Sequence, residues 1–140
     1  MVIHLDWNEC KNKRFVKEIK VDQNLVISLI KTSDNKLSSA NLLKLTETTA
    51  VSKVSLIYDS LRELLEALAI QKGYKIYNHD CYCAFLKEII KDLSSGNSFD
   101  EFRKIRNKIN YYGENLTINE AKEIIFQMKS LIVRIKKILI

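Results

Sequence analysis

The chain has 140 residues, 46% of them hydrophobic, and a formal net charge of +6. That length suits one domain with a core of its own, held without disulfide or metal staples. There is no proline and there are only three glycines. This excludes collagen-like and low-complexity chains, argues against turn-rich β-sandwiches and barrels, and predicts a few long helices with short connections.

Residues 1–21 read as an N-terminal arm without clean periodicity, and residues 22–140 as a helical domain. In the arm, Trp7 and Phe15 are expected to tack the segment onto the body, leaving Lys11, Lys13, Arg14 and Lys17 in water. Five helices are predicted after it. The first carries Leu25, Leu29, Leu37 and Ala40 at helical spacing, with Asp22 placed to accept its first backbone N–H groups. The second has an apolar stripe at Val51, Val54, Tyr58, Leu61, Leu65 and Leu68, closed by Gly73. Tyr82, Phe85, Leu86, Ile89 and Leu93 mark the third, with Gly96 as its stop. A capping box at Ser98 and Glu101 opens the fourth, whose stripe is Phe102, Ile105 and Ile109 and whose end is Gly113. A second box, Thr117 and Glu120, opens the fifth, which runs through Ala121, Ile124, Ile125, Met128, Leu131, Ile132, Ile135 and Leu139. Short connections imply antiparallel neighbours, so the expected fold is an all-α up-and-down bundle of four to five helices.

The basic excess is uneven. From Glu101 to Ile140 there are nine Lys or Arg against four Asp or Glu, and such a segment is suited to anionic partners, nucleic acid among them. The cysteines, Cys10, Cys81 and Cys83, are odd in number and lack framework spacing, so a disulfide scaffold is not expected. Cys81 and Cys83 would project from different faces of a helix, so neither a shared metal nor a cofactor is expected. Met1 to Arg14 carries charges and no apolar run, so no signal peptide is read there. No stretch approaches the ~20 apolar residues of a membrane span. A cytoplasmic protein, with no membrane partner, is the expectation.

The densest polar and aromatic segment is Phe102-Arg103-Lys104-Ile105-Arg106-Asn107-Lys108-Ile109-Asn110-Tyr111-Tyr112-Gly113. On a helix, Asn107 and Tyr111 share a face, as do Arg103 with Asn107 and Arg106 with Asn110. Asn is a mediocre helix former because its amide competes for backbone hydrogen bonds. Arginine offers a planar fork that matches phosphate, and tyrosine faces offer platforms for bases. Two readings fit: a phosphate or nucleotide site, or a solvated face whose Asn110 and Tyr112 shape the last turn.

The chain resembles the HEPN superfamily (higher eukaryotes and prokaryotes nucleotide-binding). Ser55 to Tyr74 is similar to that family's second helix and its Gly-Tyr exit. Asn78-His79 with Phe85-Leu86 resembles the opening of its third helix. Arg103-Lys104-Ile105-Arg106-Asn107-Lys108-Ile109 resembles the Arg-Asn signature of its fourth. The likeness spans roughly residues 24–138. It implies a homodimeric helical bundle that binds RNA or another nucleotide in a basic cleft between protomers. It also implies, in many members, a metal-independent ribonuclease acting as the toxin of a toxin–antitoxin pair with a small nucleotidyltransferase. The family's hallmark is an Arg followed, after four to six residues, by a His. Here Arg106-Asn107 matches, and Tyr111 stands where the His would be.

RNA cleavage without a metal needs a group to take the 2′-hydroxyl proton and a cation for the phosphorane. Histidine titrates near ~6.5 and suits the first task, whereas tyrosine near ~10 does not. Arg106 can still act as the electrostatic clamp. The catalytic candidates are therefore Arg106 and Tyr111. The ligand-binding candidates are Arg103, Arg106, Asn107, Asn110, Tyr111, Tyr112, Asp59 and Glu63. The two histidines, His4 and His79, lie outside the motif, and His79 could replace the missing base only if the fold sets it beside Arg106. The leading functional expectation is a module that binds nucleotide or RNA without efficient catalysis. The alternatives are a ribonuclease toxin and a helical partner subunit of a nucleotidyltransferase.

Overall fold

The computed structural model describes residues 5–139; His4 lies outside the described residues. These residues form an all-α bundle of six helices with one small two-stranded sheet. In chain order they are α1 (Trp7–Asn12), β1 (Val16–Glu18), α2 (Gln23–Leu42), α3 (Ala50–Gln71), β2 (Tyr74–Ile76), α4 (Asp80–Ala84), α5 (Leu93–Tyr112) and α6 (Ile118–Ile138). A single π-helical turn, Phe85–Ile89, continues α4.

The central element is α3. Val54, Ile57, Tyr58, Leu61, Leu64, Leu65 and Leu68 are all buried, and they cover more than one face of the helix. A helix apolar on most sides belongs inside a bundle. It packs against α2, α5 and α6. The contact with α2 is close because it uses small residues. The Ser33 hydroxyl lies 2.7 Å from the Ser60 carbonyl, and the Ser60 hydroxyl donates to the Ser33 carbonyl at 2.9 Å. The buried line of α2 is Val26, Ser33 and Ala40, while Leu25 faces water and Leu29 and Leu37 are only partly covered. On α6, Ala121, Ile125, Met128, Leu131, Ile132 and Ile135 face the core.

Most helix ends follow the side chains that can satisfy them. Asp22 accepts from the Leu25 N–H at 3.1 Å. Thr117 and Glu120 form a reciprocal capping box. Gly73 and Gly113 take left-handed φ values of 91° and 63° just past α3 and α5, a conformation cheap only for glycine.

The third and fourth predicted helices need correction. The break comes earlier than Gly96, at Lys91, whose φ is 63°. Asp92 is the N-cap of α5. It accepts from the Ser95 backbone N–H at 3.1 Å and the Ser95 hydroxyl at 2.7 Å, and it also receives Arg134 of α6. The Ser98–Glu101 box therefore opens nothing; both residues are inside α5. Leu93 starts α5 and is exposed rather than ending a buried stripe. Gly96 has a packing role: a Cβ there would lie 2.6 Å from Lys87 Cγ and 3.2 Å from the Cys83 carbonyl.

The segment before α2 has more structure than its lack of periodicity suggests. Asp6 and Glu9 form a capping box for α1. β1 pairs antiparallel with β2, Val16 opposite Ile76 and Glu18 opposite Tyr74. Trp7 is buried, 5.1 Å from the Tyr74 ring in an edge contact and 5.9 Å from Phe85. Contrary to expectation, Cys10 of α1 and Cys81 of α4 are joined by a disulfide across 71 positions, both fully buried. No described helix is long and apolar enough to cross a membrane.

Closing so long a loop restricts the unfolded chain, so replacing Cys10 and Cys81 together by alanine is expected to cost about 2–4 kcal/mol in chemical denaturation. An unchanged denaturation midpoint would show that the bond does not form. Gly96→Ala is expected to destabilise by about 1–3 kcal/mol through overpacking against α4. A stability equal to wild type would contradict the close approach.

Candidate functional site

The polar residues of α3, the start of α4 and the middle of α5 converge on one surface. Its floor is aromatic. Tyr58 stacks on Phe99 at 5.7 Å, and Tyr82 meets the same ring edge-on at 6.0 Å. The Arg106 guanidinium lies over Tyr58, 5.2 Å from the ring centroid. Its Nη2 donates to Asp59 Oδ1 at 3.3 Å, while its Nε is buried without a hydrogen-bond partner. His79 lies 6.1 Å from the Tyr82 ring at the other end of this floor.

One turn earlier on α5, Arg103 is more firmly committed. Its Nη2 donates to Asp100 Oδ1 at 2.9 Å and lies 3.6 Å from Asp80 Oδ1. Lys104 Nζ is 3.2 Å from the other Asp100 oxygen. Burial opposes the charges on Asp100 and Arg103. Their hydrogen bonds and the neighbouring ions outweigh it, so Asp100 is held below the usual carboxylate range and Arg103 above the usual guanidinium range. On α3, Arg62 lies 3.4 Å from Glu66, which also receives Lys75 at 2.7 Å.

His79 stands among these charges. Its imidazole is half-buried and is held below its ordinary pKa, first by burial and then by Arg62 and Arg106; Asp59 and Glu66 push back. It is therefore neutral at neutral pH. The phenol of Tyr58 is pushed up to about 12 by burial against the pull of Arg106, Arg103 and Arg62, and that of Tyr82 is pushed higher still, again by burial. Neither phenol can act as a base.

Of the eight sequence-derived candidates, Asp59, Arg103 and Arg106 meet here. Asn107 is half-exposed one position along α5, and Asn110, Tyr111 and Tyr112 are exposed on its last turn. Tyr111 and Tyr112 are 78% and 79% exposed, so their rings are open to stack on a ligand. Glu63 lies apart. It is buried against α2, where Lys36 Nζ is 2.5 Å from its Oε1. Arg62, Glu66, Asp80 and Asp100 were not among the candidates. For Arg62, Glu66 and Asp100 the signal lay in the helical spacings Asp59–Arg62–Glu66 and Asp100–Arg103–Lys104, whereas Asp80 meets Arg103 only through the packing of α4 on α5.

The charge here is balanced rather than basic, because each arginine has a carboxylate beside it. Asp80, Cys83 and Asp100 also present ligand atoms within 4.8 Å of one another. Arg103 already supplies a positive charge between the two carboxylates. The buried Cys83 thiol is pushed up to about 12, first by burial and then by Asp100 and Asp80. It is poorly suited to the thiolate form a metal requires. A cleft of about 470 Å³ lies elsewhere, between the start of α5 and α6, lined in part by Ser94, Ser98, Phe126 and Lys137.

No protein-family model matches this chain, nor does any curated protein or solved structure.

Because folding lowers the His79 pKa, the unfolded chain binds that proton more readily. The resulting stability is present above about pH 6.5 and is lost as pH falls through the lower folded value. Thermal midpoints are expected to fall below about pH 6.5, and His79→Gln should flatten that part of the profile. An identical acid slope in the variant would show that His79 is not held neutral by the fold.

Proposed function

We propose that this protein binds RNA or a nucleotide along the second half of α5, with Arg106 as its phosphate ligand. One observation carries the reading. Arg106 is backed by Tyr58 and held by a single carboxylate, and its helix goes on to the exposed Asn110, Tyr111 and Tyr112. A guanidinium presented this way can exchange Asp59 for a phosphate, which matches its fork better. Arg103, locked between two carboxylates, then serves to position the helix. The exposed tyrosines offer stacking faces to bases, and Asn107 and Asn110 offer amides.

The order of motifs that resembles the HEPN superfamily supports the same reading, and we assign the chain to that superfamily on this basis. A homodimer would place two such segments across one cleft.

Fluorescence anisotropy with a short single-stranded RNA at low salt tests the proposal. Wild type is expected to bind, and to bind less tightly as salt rises. Arg106→Ala should weaken binding about tenfold or more, the scale of one charge-assisted hydrogen bond. Asp59→Asn should tighten it several-fold by removing the competing carboxylate. Tyr111→Ala should weaken it by about 1–3 kcal/mol if a base stacks there. No binding by wild type at low salt would sink the proposal. Tighter binding in Asp59→Asn separates it from a purely structural ion pair, which predicts no gain.

A further inference from the structure

We propose that the groove between the first turns of α5 and the outer face of α6 docks an acidic amphipathic helix of a partner protein. On α6, Phe126, Ser130, Val133 and Lys137 recur at helical spacing on the side opposite the buried stripe. The row runs for about 16 Å, or three turns. Ser94 and Ser98 of α5 form the facing wall of the cleft of about 470 Å³. Phe126 is 70% and Val133 53% exposed. They stand on the water side of α6, so core packing does not account for them. Leu93, at the head of α5, is exposed as well. A lone exposed apolar residue is ordinary, but a row of them along a concave cleft marks an interaction surface.

The charge of the groove indicates the charge of its occupant. Arg134 and Lys137 line it, and a second cleft that shares Arg134 adds Lys72 and Lys91. Among the described residues lining the two clefts, the single carboxylate is Asp92. It is already engaged, capping α5 and receiving Arg134. Part of the basic excess of residues 101–140 thus gathers here, whereas Arg103 and Arg106 each have a carboxylate beside them. A helix seated in this groove sets aliphatic side chains spaced i, i+4 and i+7 against Phe126 and Val133. Aspartates or glutamates on its flanks then meet Lys137, Arg134 and Lys91, which fixes its orientation. A second copy of this chain fits poorly, because two-fold pairing of this face would press one basic patch against another. Single-stranded RNA would find one ring beside an aliphatic Val133 instead of successive stacking platforms.

The probe is a fluorescent helical peptide with leucines spaced i, i+4 and i+7 and glutamates flanking them, titrated with full-length protein at low salt and followed by anisotropy. It is expected to bind. A scrambled peptide of the same composition, and one with lysine for every glutamate, should bind at least ~10-fold more weakly. Phe126→Ser should weaken binding of the acidic peptide about tenfold or more, as the loss of an aromatic anchor does. Lys137→Glu should weaken it several-fold and flatten its salt dependence. Both positions are exposed, and circular dichroism checks that the variants are folded. Arg106→Ala should bind the peptide like wild type, and both groove variants should bind RNA like wild type, so this inference and the RNA proposal fail separately. No binding of the patterned peptide, or equal binding of the scrambled one, would overturn the inference. Displacement of the peptide by RNA would give the groove to nucleic acid, and Phe126-dependent binding to phosphatidylserine vesicles would give it to a membrane. A dimer that Phe126→Ser dissociates in analytical ultracentrifugation would give it to a second copy. Each of these outcomes would overturn the inference too.

Discussion

Because α3 is buried on most of its surface, its charged side chains have little room. Asp59, Arg62 and Glu66 share one strip, and the polar architecture of the candidate site is arranged around it. Arg106 reaches α3 through Asp59 and Tyr58. Lys75, in the strand after α3, reaches it through Glu66. His79 feels the charges of all three strip residues. A bundle with a less buried central helix could spread these charges over its surface. Here they are forced together over an aromatic floor, where burial makes each interaction count for more than it would in open water.

That crowding divides the arginines by task. Arg103 contacts two carboxylates and a desolvated neighbourhood, so displacing its partners would leave buried charge unpaired, a costly outcome. Arg106 has one carboxylate and lies closer to solvent. The same local balance that holds α5 in place therefore leaves one cation able to change partners. The arm contributes at a distance. Through the Cys10–Cys81 disulfide, the small sheet and Trp7, it holds α4, and α4 carries His79 and Asp80 to the cluster.

The all-α architecture was legible in the sequence wherever local chemistry decides it. Asp22, the Thr117–Glu120 pair, Gly73 and Gly113 end helices by satisfying or bending their own backbone, and short-range spacing is enough to see that. At the start of α5, the local Ser98–Glu101 pattern pointed to the wrong N-cap, and Asp92 takes that place. Arg134, 42 residues away, reinforces Asp92, and no local pattern contains that information. The disulfide was hidden for the same reason: a separation of 71 carries no signature when three cysteines allow several pairings. Of the site, the α5 half was visible because Arg, Asn and Tyr cluster in sequence. The α3 half was read as two carboxylates, Asp59 and Glu63. They are one helical turn apart, yet Asp59 turns to α5 and Glu63 to Lys36 of α2. Only the packing of three helices separates them.

The central claim is that ligand phosphate engages the Arg106 end of this strip. The most direct measurement is a two-dimensional NMR titration of isotope-labelled protein with a short single-stranded RNA, following backbone amides, arginine side chains and the His79 ring together. The account predicts the largest shifts at Arg106, Asp59, His79 and the last turn of α5, with Arg103 nearly unmoved. Shifts confined to the cleft between α5 and α6, or none at all, would contradict it.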